Sequence, residues 1–179
     1  EIHGLVTPHM ERWRNMTLNL PGGSVTLDGV GFTAIGRLHL IEILTERARA
    51  LDIAIRFDSP VSDLDTLTAD LVIGADGLNS LVRCSLADRF KPSIAHFDNH
   101  FAWFGAKIPF DTLTQTFIET EHGAMNAHHY RYAPDRSTFI VECDDATFRR
   151  AGFEGMSEDA SAARCSAFFS DALQGTQLV

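Results

Sequence analysis

The clearest periodic pattern in the chain predicts a helix over Arg37–Leu51. Its apolar residues recur at steps of three and four, which places them on one helical face, while charged residues occupy most of the remainder. The apolar positions are Leu38, Ile41, Leu44, Ala48 and Leu51. This helix is the strongest local prediction in the first half of the chain.

Two further helices are predicted close to the C-terminus. The first covers residues 144–152, and either Asp144 or Asp145 suits its N-cap, because a carboxylate there accepts hydrogen bonds from free backbone amides. The second covers residues 157–173 and begins at Ser157, with acidic residues in its first turn that favour the helix dipole.

Extended segments flank the first helix. Residues 11–20 and Ser24–Leu27 are predicted to form a hairpin around a Pro-Gly-Gly turn, and the extended segment Gly31–Gly36 leads into the helix. Two strands are predicted after it, Ile53–Phe57 and Asp70–Ala75. The second is almost wholly apolar, which is typical of a strand in a parallel sheet covered on both faces.

Four more strands follow residue 95, and short turns separate the later ones. They are Phe101–Gly105, Leu113–Thr120, Ala124–Tyr132 and Ser137–Cys143. Short turns favour antiparallel neighbours, because a parallel pair needs a long crossover. The predicted fold class is therefore α/β (α+β mixed), with an α/β unit followed by an antiparallel, meander-like sheet.

Charge and composition exclude some classes of binding partner for the chain. Its 179 residues include 15 Lys and Arg against 24 Asp and Glu, a formal net charge of −9. This balance argues against a nucleic-acid partner and against an anionic membrane surface. No apolar run approaches the roughly 20 residues of a membrane helix. The three cysteines, Cys84, Cys143 and Cys165, lack C-x-x-C spacing, which favours reduced thiols and a cytoplasmic location.

The most informative local sequence is D-L-V-I-G-A-D-G-L-N-S-L-V-R at residues 70–83. An apolar strand ends there at Asp76-Gly77, and Asn79 or Ser80 can cap a following helical turn. In open α/β sheets, ligands bind outside the carboxyl ends of strands. Gly77 allows close approach of backbone to a ligand, and Asp76 can accept hydrogen bonds. The same residues also suit a strand–turn–helix junction without a ligand, so the sequence leaves both interpretations open.

The order of these elements resembles the flavin-dependent aromatic hydroxylases of the p-hydroxybenzoate hydroxylase type. The segment G-A-D-G followed by Ser and Val-Arg resembles that family's Asp-Gly motif, which is associated with FAD and NAD(P)H binding. Later segments are similar to the branch that hydroxylates salicylyl-CoA and 2-aminobenzoyl-CoA, and that branch is itself similar to the tryptophan hydroxylase of violacein biosynthesis. These segments are FAWFG at 101–105, PFD at 109–111, EHG at 121–123, AHHY at 127–130 and STFIVEC at 137–143.

The resemblance implies a partial, Rossmann-like FAD-binding domain over residues 37–95 and a substrate-binding domain from residues 1–36 and 96–179. It implies that NADH or NADPH reduces FAD, that oxygen adds to give a flavin C4a-hydroperoxide, and that this species hydroxylates an aromatic ring. The expected substrate is an aromatic acyl-CoA or another aromatic small molecule. A homo-oligomer is left open.

The resemblance also implies roles for individual residues. Arg37, Asp76 and Gly77 are expected to bind FAD, and Trp103 and Tyr130 to bind substrate, although a plain core role competes for the two aromatic residues. Adjacent histidines on a strand point to opposite faces. We expect His128 to enter the pocket and assist deprotonation of a ring hydroxyl or amine.

No metal site is predicted, because the histidines lack a recognised ligand spacing. His96 and His100 stand four residues apart, but a proline and an extended pattern argue against a helix there.

Two departures from the family affect these expectations. The chain lacks the initial G-x-G-x-x-G and the later Gly-Asp motif that hold FAD in family members. We therefore expect an internal segment of a longer monooxygenase, which binds FAD poorly by itself. A tryptophan or indole hydroxylase of the same family is the close alternative. If the chain were a complete protein, a non-catalytic binding module would be the better interpretation.

Overall fold

The structure, a computed structural model, describes residues 2–179 and has a mixed α/β fold. The helices are α1 (Ile2–Val6), α2 (Arg37–Ala50), α3 (Leu81–Ser85), α4 (Ala87–Phe90), α5 (Asp145–Arg150) and α6 (Glu158–Phe168). The strands are β1 (Glu11–Trp13), β2 (Met16–Leu20), β3 (Gly23–Leu27), β4 (Phe32–Ala34), β5 (Asn99–Ala106), β6 (Leu113–Thr120), β7 (Gly123–Ala133) and β8 (Arg136–Asp144).

Six strands form the main sheet in the order β3-β2-β6-β7-β8-β5, and β1 pairs with β4 in a small separate sheet. The predicted hairpin is confirmed as β2–β3, and the short turns join β6, β7 and β8 into an antiparallel meander. The sheet differs from a simple meander in two places. Strand β5 pairs with β8 rather than with β6, and β2 pairs with β6 in the parallel direction.

One face of the main sheet packs against the C-terminal helices and forms the core. Phe139 on β8 is fully buried there, together with Phe169 and Leu173, which follow α6. The predicted caps are confirmed: Asp144 accepts a hydrogen bond from the Thr147 amide, and Ser157 accepts one from the Ala160 amide. The second helix is shorter than predicted, because successive turns replace it after Phe168 and still bring Leu173 into the core.

Helix α2 forms where the apolar pattern predicted it. Its apolar face is not covered, since Leu38 is 76% exposed, and Ile41 and Leu44 are exposed as well. The helix therefore has the expected bounds, whereas the surface expected to pack against it lies open in the described chain.

The two strands predicted after α2 are wrong for this structure. Residues 53–57 and 70–75 have no strand, and Leu71 and Ile73 in the second segment are 76% and 79% exposed. The physical reason is that a strand requires a hydrogen-bonded neighbour, and no described strand runs beside either segment. The proposed domain over residues 37–95 thus contains helices but no strand, and its bounds stay a prediction. Glu1, the start of the other predicted domain, lies outside the described residues.

In residues 2–179, no helix combines the length and the apolarity that a membrane crossing requires.

Candidate functional site

The face of the main sheet opposite the core carries three of the six residues predicted for the site, namely Trp103, His128 and Tyr130. We call it the outer face. Its central row runs from Trp103 on β5 through Ile140 on β8 and His128 on β7 to Gln115 on β6, because these residues are direct partners in the strand register. Directly paired residues project to the same side of a sheet. The row therefore places an aromatic ring, an aliphatic side chain and an imidazole side by side.

An open cleft of about 1020 Å³ lies between this face and the start of α2. Arg37 and His39 line it from α2, Trp103 from β5, Tyr130 and Tyr132 from β7, and Thr138 from β8. The structure thus brings together three of the predicted site residues, namely Arg37, Trp103 and Tyr130. They come from segments that are far apart in the sequence.

Trp103 connects the two sides of the cleft. Its indole is 56% exposed, and the indole N–H donates a hydrogen bond of 3.0 Å to Oγ1 of Thr138. The Arg37 guanidinium lies over the same ring, 5.8 Å from its centroid, which is within reach of a cation–π interaction. Among residues 2–179, no carboxylate forms an ion pair with Arg37. This guanidinium therefore keeps hydrogen-bond donors available for a ligand.

Tyr130 combines core-like packing with a position at the edge of the cleft, and its role in substrate binding stays a prediction. Its ring packs edge-on against Phe32 and Trp13, with centroid distances of 5.1 and 6.3 Å. It also lines the cleft. Burial raises the pKa of its phenol, so the hydroxyl is neutral and can donate a hydrogen bond. A residue fixed by packing on one side and open on the other can form a rigid wall for a ligand.

The adjacent histidines point to opposite faces, as the strand alternation predicted. His128 is half-buried on the outer face, but it does not line the cleft itself. It lies two strands from Trp103, a backbone separation of about 10 Å at the usual strand spacing. An aromatic ring bound against Trp103 would bridge much of that distance. The catalytic role of His128 stays a prediction.

His129 is buried on the core side, with only 2% of its surface exposed. Its ring stacks on Phe139 at 4.9 Å and contacts Phe110 at 4.0 Å, and Nε2 is 3.0 Å from Oγ1 of Thr116. Burial lowers the pKa of this imidazole to about 3, with a smaller contribution from His128. The ring is therefore neutral at physiological pH and acts as part of the core.

The Asp76-Gly77 corner lies outside the cleft. The Asp76 carboxylate accepts hydrogen bonds from the Ser80 hydroxyl at 2.7 Å and from the Leu81 amide at 2.6 Å. The Ser80 hydrogen bond is the main reason why the pKa of Asp76 is lowered. Gly77 has a φ of +74°, a left-handed conformation that glycine adopts without strain. Arg83 donates to the carbonyl of Leu78 and so braces the same loop. The hydrogen bonds of Asp76 thus stabilise a turn in which Gly77 adopts the left-handed conformation.

Sequence analysis missed Thr138 and Ile140, although both contribute to the outer face. Residues 137–141 of β8 are buried on both faces of the strand, so the sequence pattern does not tell which of them face the cleft. The strand register relative to Trp103 was the missing information. In the described chain, no group of three His, Cys, Asp or Glu residues is placed to hold a metal ion.

Comparison with known proteins identifies relatives that match most of the chain. No family model matches. The chain is 34% identical to a salicyloyl-CoA 5-hydroxylase of Streptomyces over 96% of its own length and 35% of the relative's length. It is 33% identical to protodeoxyviolaceinate monooxygenase of Chromobacterium violaceum over 87% of its own length and 42% of that protein. The chain therefore spans between a third and a half of the length of these curated relatives.

The solved structures agree on the fold. PqsL of Pseudomonas aeruginosa, described as a probable FAD-dependent monooxygenase, aligns with a TM-score of 0.61 at 14% identity, covering 99% of this chain and 58% of PqsL. A PqsL mutant aligns with a TM-score of 0.66 over 97% of this chain and 55% of the mutant protein. This likeness shows that the chain folds as a corresponding part of such an architecture.

Proposed function

Because the chain belongs to the family of FAD-dependent aromatic monooxygenases, we propose that its full-length protein hydroxylates an aromatic substrate bound on the outer face of the sheet. The observation that carries this proposal is the cleft in which Arg37, Trp103 and Tyr130 meet. It offers a free cation on one side and aromatic walls on the other. The proposed domains are a partial FAD-binding domain over residues 37–95 and a substrate-binding domain from residues 1–36 and 96–179.

Arg37 fits the anionic part of FAD. A cation at the N-terminal end of a helix opposes the helix dipole, and an anion bound nearby would remove that conflict. A β-carbon at Gly77 would meet nothing within 4 Å, so this loop also leaves room for close approach of a ligand. In the proposed site, Arg37 holds the cofactor from the cleft, and Asp76 shapes the loop that presents the Gly77 backbone. When bound, FAD supplies the oxygen chemistry, with electrons from NADH or NADPH.

The outer face then binds and orients the aromatic ring. Ile140, which is 6% exposed, offers an apolar floor in register between Trp103 and His128. Trp103 and Tyr130 form walls that displace water from the ring. His128 accepts the proton of a ring hydroxyl, which makes the ring more electron-rich, or accepts a hydrogen bond from a ring amine. A histidine suits this task because a neutral imidazole nitrogen can accept a proton and release it again.

The proposed substrate class is an aromatic acyl-CoA such as salicylyl-CoA or 2-aminobenzoyl-CoA. The name of the Streptomyces relative supports this class. A tryptophan or indole substrate is the second candidate.

Purification of the full-length protein tests the proposal. We expect flavin absorbance, together with NADH or NADPH oxidation that 2-aminobenzoyl-CoA or salicylyl-CoA accelerates and that yields a hydroxylated product. Stimulation by tryptophan alone would select the second candidate. A colourless protein that does not bind added FAD would contradict the proposed function.

The Arg37→Gln variant of the full-length protein should bind FAD about 10- to 100-fold more weakly, because a charge-assisted hydrogen bond contributes roughly 1.5–3 kcal/mol. Titration of the apoprotein with FAD measures this dissociation constant. Arg49→Gln, on the exposed C-terminal part of α2, is the matched control and should leave FAD affinity unchanged. Equal affinities for the two variants would remove Arg37 from the cofactor site.

A further inference from the structure

The strand position of Trp103 leaves its ring free to take several orientations. Strand β5 is at the edge of the sheet, and more than half of the Trp103 side chain is exposed. The indole carries one hydrogen-bond donor and no acceptor. Its N–H donates to Oγ1 of Thr138 on the neighbouring strand. This hydrogen bond ties an exposed ring to a well-ordered part of the sheet.

Thr138 is well suited to hold that ring. It is 5% exposed, and β8, on which it lies, is paired on both sides, with Gly105 and with Tyr130 as its direct partners. A β-branched side chain in a central strand has few rotamers available, so its hydroxyl has a defined direction. Thr138 therefore lies between the two aromatic residues that wall the cleft, and its hydroxyl determines the orientation of one of them.

We propose that Thr138 is a positioning residue of the aromatic-ring site: its hydroxyl holds the Trp103 indole in the orientation against which the substrate ring packs. This inference rests on the proposed function. Thr138 acts through Trp103, and it lines the cleft beside Tyr130. Loss of the hydroxyl leaves the fold in place but frees the indole to rotate. The substrate ring then binds less tightly and is less well protected from water.

The test uses the flavin-loaded full-length protein and the variants Thr138→Val and Thr138→Ser. Thr138→Val keeps the shape of the side chain and removes the hydroxyl, whereas Thr138→Ser keeps the hydroxyl. We expect Thr138→Val to raise the dissociation constant for 2-aminobenzoyl-CoA about three- to tenfold, the equivalent of one neutral hydrogen bond. Thr138→Val should also form less hydroxylated product for each NAD(P)H oxidised. Thr138→Ser should keep both values close to those of the wild type.

A double-mutant cycle separates positioning from a general weakening of the sheet. In a Trp103→Phe background the indole N–H is absent, so Thr138→Val should have no further effect on the dissociation constant. Thr114→Val, a buried threonine on the core side of β6, is the control for loss of a hydroxyl elsewhere in the sheet. The inference would be overturned if Thr138→Val and wild type had the same dissociation constant and formed the same amount of product per NAD(P)H oxidised. Effects that persist undiminished in the Trp103→Phe background would also overturn it.

A readout that does not need turnover keeps this inference distinct from the proposed function. In the protein with 15N-labelled tryptophan, the indole resonance of Trp103 is identified by its absence in Trp103→Phe. Slow hydrogen exchange of this N–H that becomes fast in Thr138→Val supports the hydrogen bond, whereas unchanged exchange contradicts it. Absence of bound flavin or of product with every substrate would instead contradict the proposed function.

Discussion

Replacement of His128 with Gln in the full-length protein is expected to slow ring hydroxylation by about 100-fold, the lower range for loss of a positioned general base. His128 lies in the central row of the outer face, in register with Ile140 and two strands from Trp103. A ring bound against Trp103 would direct its hydroxyl or amine toward this imidazole. Glutamine can accept a hydrogen bond but cannot take a proton at neutral pH, so the ring would remain less electron-rich.

Single-turnover measurement of hydroxylation checks this prediction, with salicylyl-CoA as substrate because its ring hydroxyl carries the proton that a base can remove. Binding of FAD should be unchanged, because His128 lies outside the cleft that Arg37 lines. His96→Gln, which replaces an exposed histidine before β5, serves as the control and should match wild type. A His128→Gln rate within about twofold of wild type would exclude a base role for this residue.

The second large effect concerns stability in acid, which we expect to depend on His129. Its pKa is about 3 in the folded chain and 6.5 without the fold, because burial disfavours the charged ring. A base with a lowered pKa stabilises the folded state fully above pH 6.5, and that stability is lost as the pH falls toward 3. Each pH unit in this window is equivalent to about 1.4 kcal/mol, so the chain should lose roughly 2–3 kcal/mol between pH 8 and pH 4.5.

Urea unfolding at several pH values measures this loss. His129→Phe keeps a ring against Phe110 and Phe139 but cannot titrate, and Thr116 retains its hydrogen bond from Asn19. This variant should therefore show little change in stability between pH 8 and pH 4.5, whereas the control His96→Gln should follow wild type. Similar acid sensitivity in all three chains would show that His129 does not control it.

Three carboxylates also have lowered pKa values, but they affect the stability of the fold in a different pH range. Hydrogen bonds at helix starts lower the pKa of Asp76 and Asp144, and the hydrogen bond to His100 lowers that of Asp145. For an acid with a lowered pKa, the stabilisation is present above its ordinary value of 3.8 and is lost as the pH falls below it. The interval from pH 6.5 to about 4.5 therefore separates the contribution of His129 from that of these three carboxylates.

Local chemistry made part of the fold predictable from the sequence. Asp144 and Ser157 cap the helices that follow them because a side-chain oxygen reaches a nearby backbone amide, which is a purely local interaction. The short turns predicted the β6–β7–β8 meander for the same reason. Strand alternation correctly separated His128 from His129 without any knowledge of the tertiary structure.

Interactions between distant segments were the part that the sequence did not reveal. The apolar segment Asp70–Ala75 has the composition of a buried strand, but whether it forms one depends on neighbouring strands that the described chain does not supply. The parallel pairing of β2 with β6 likewise joins segments far apart in the sequence. No local pattern specified either arrangement.

The candidate site shows the same division. A resemblance to a family selected Arg37, Trp103 and Tyr130, and the structure brings them into one cleft. The hydrogen bond from Trp103 to Thr138 was not predictable, because it requires the register between β5 and β8. Asp76 and Gly77 form their own corner away from the cleft, and their role toward FAD stays a proposal.

The central claim is that the outer face of the sheet, beside Arg37, holds the aromatic ring. A crystal structure of the flavin-loaded full-length protein with 2-aminobenzoyl-CoA tests it most directly. We expect the aromatic ring to lie over Ile140, between the side chains of Trp103 and Tyr130 and on the His128 side of the cleft. A substrate ring bound on any other surface of the protein would contradict the account.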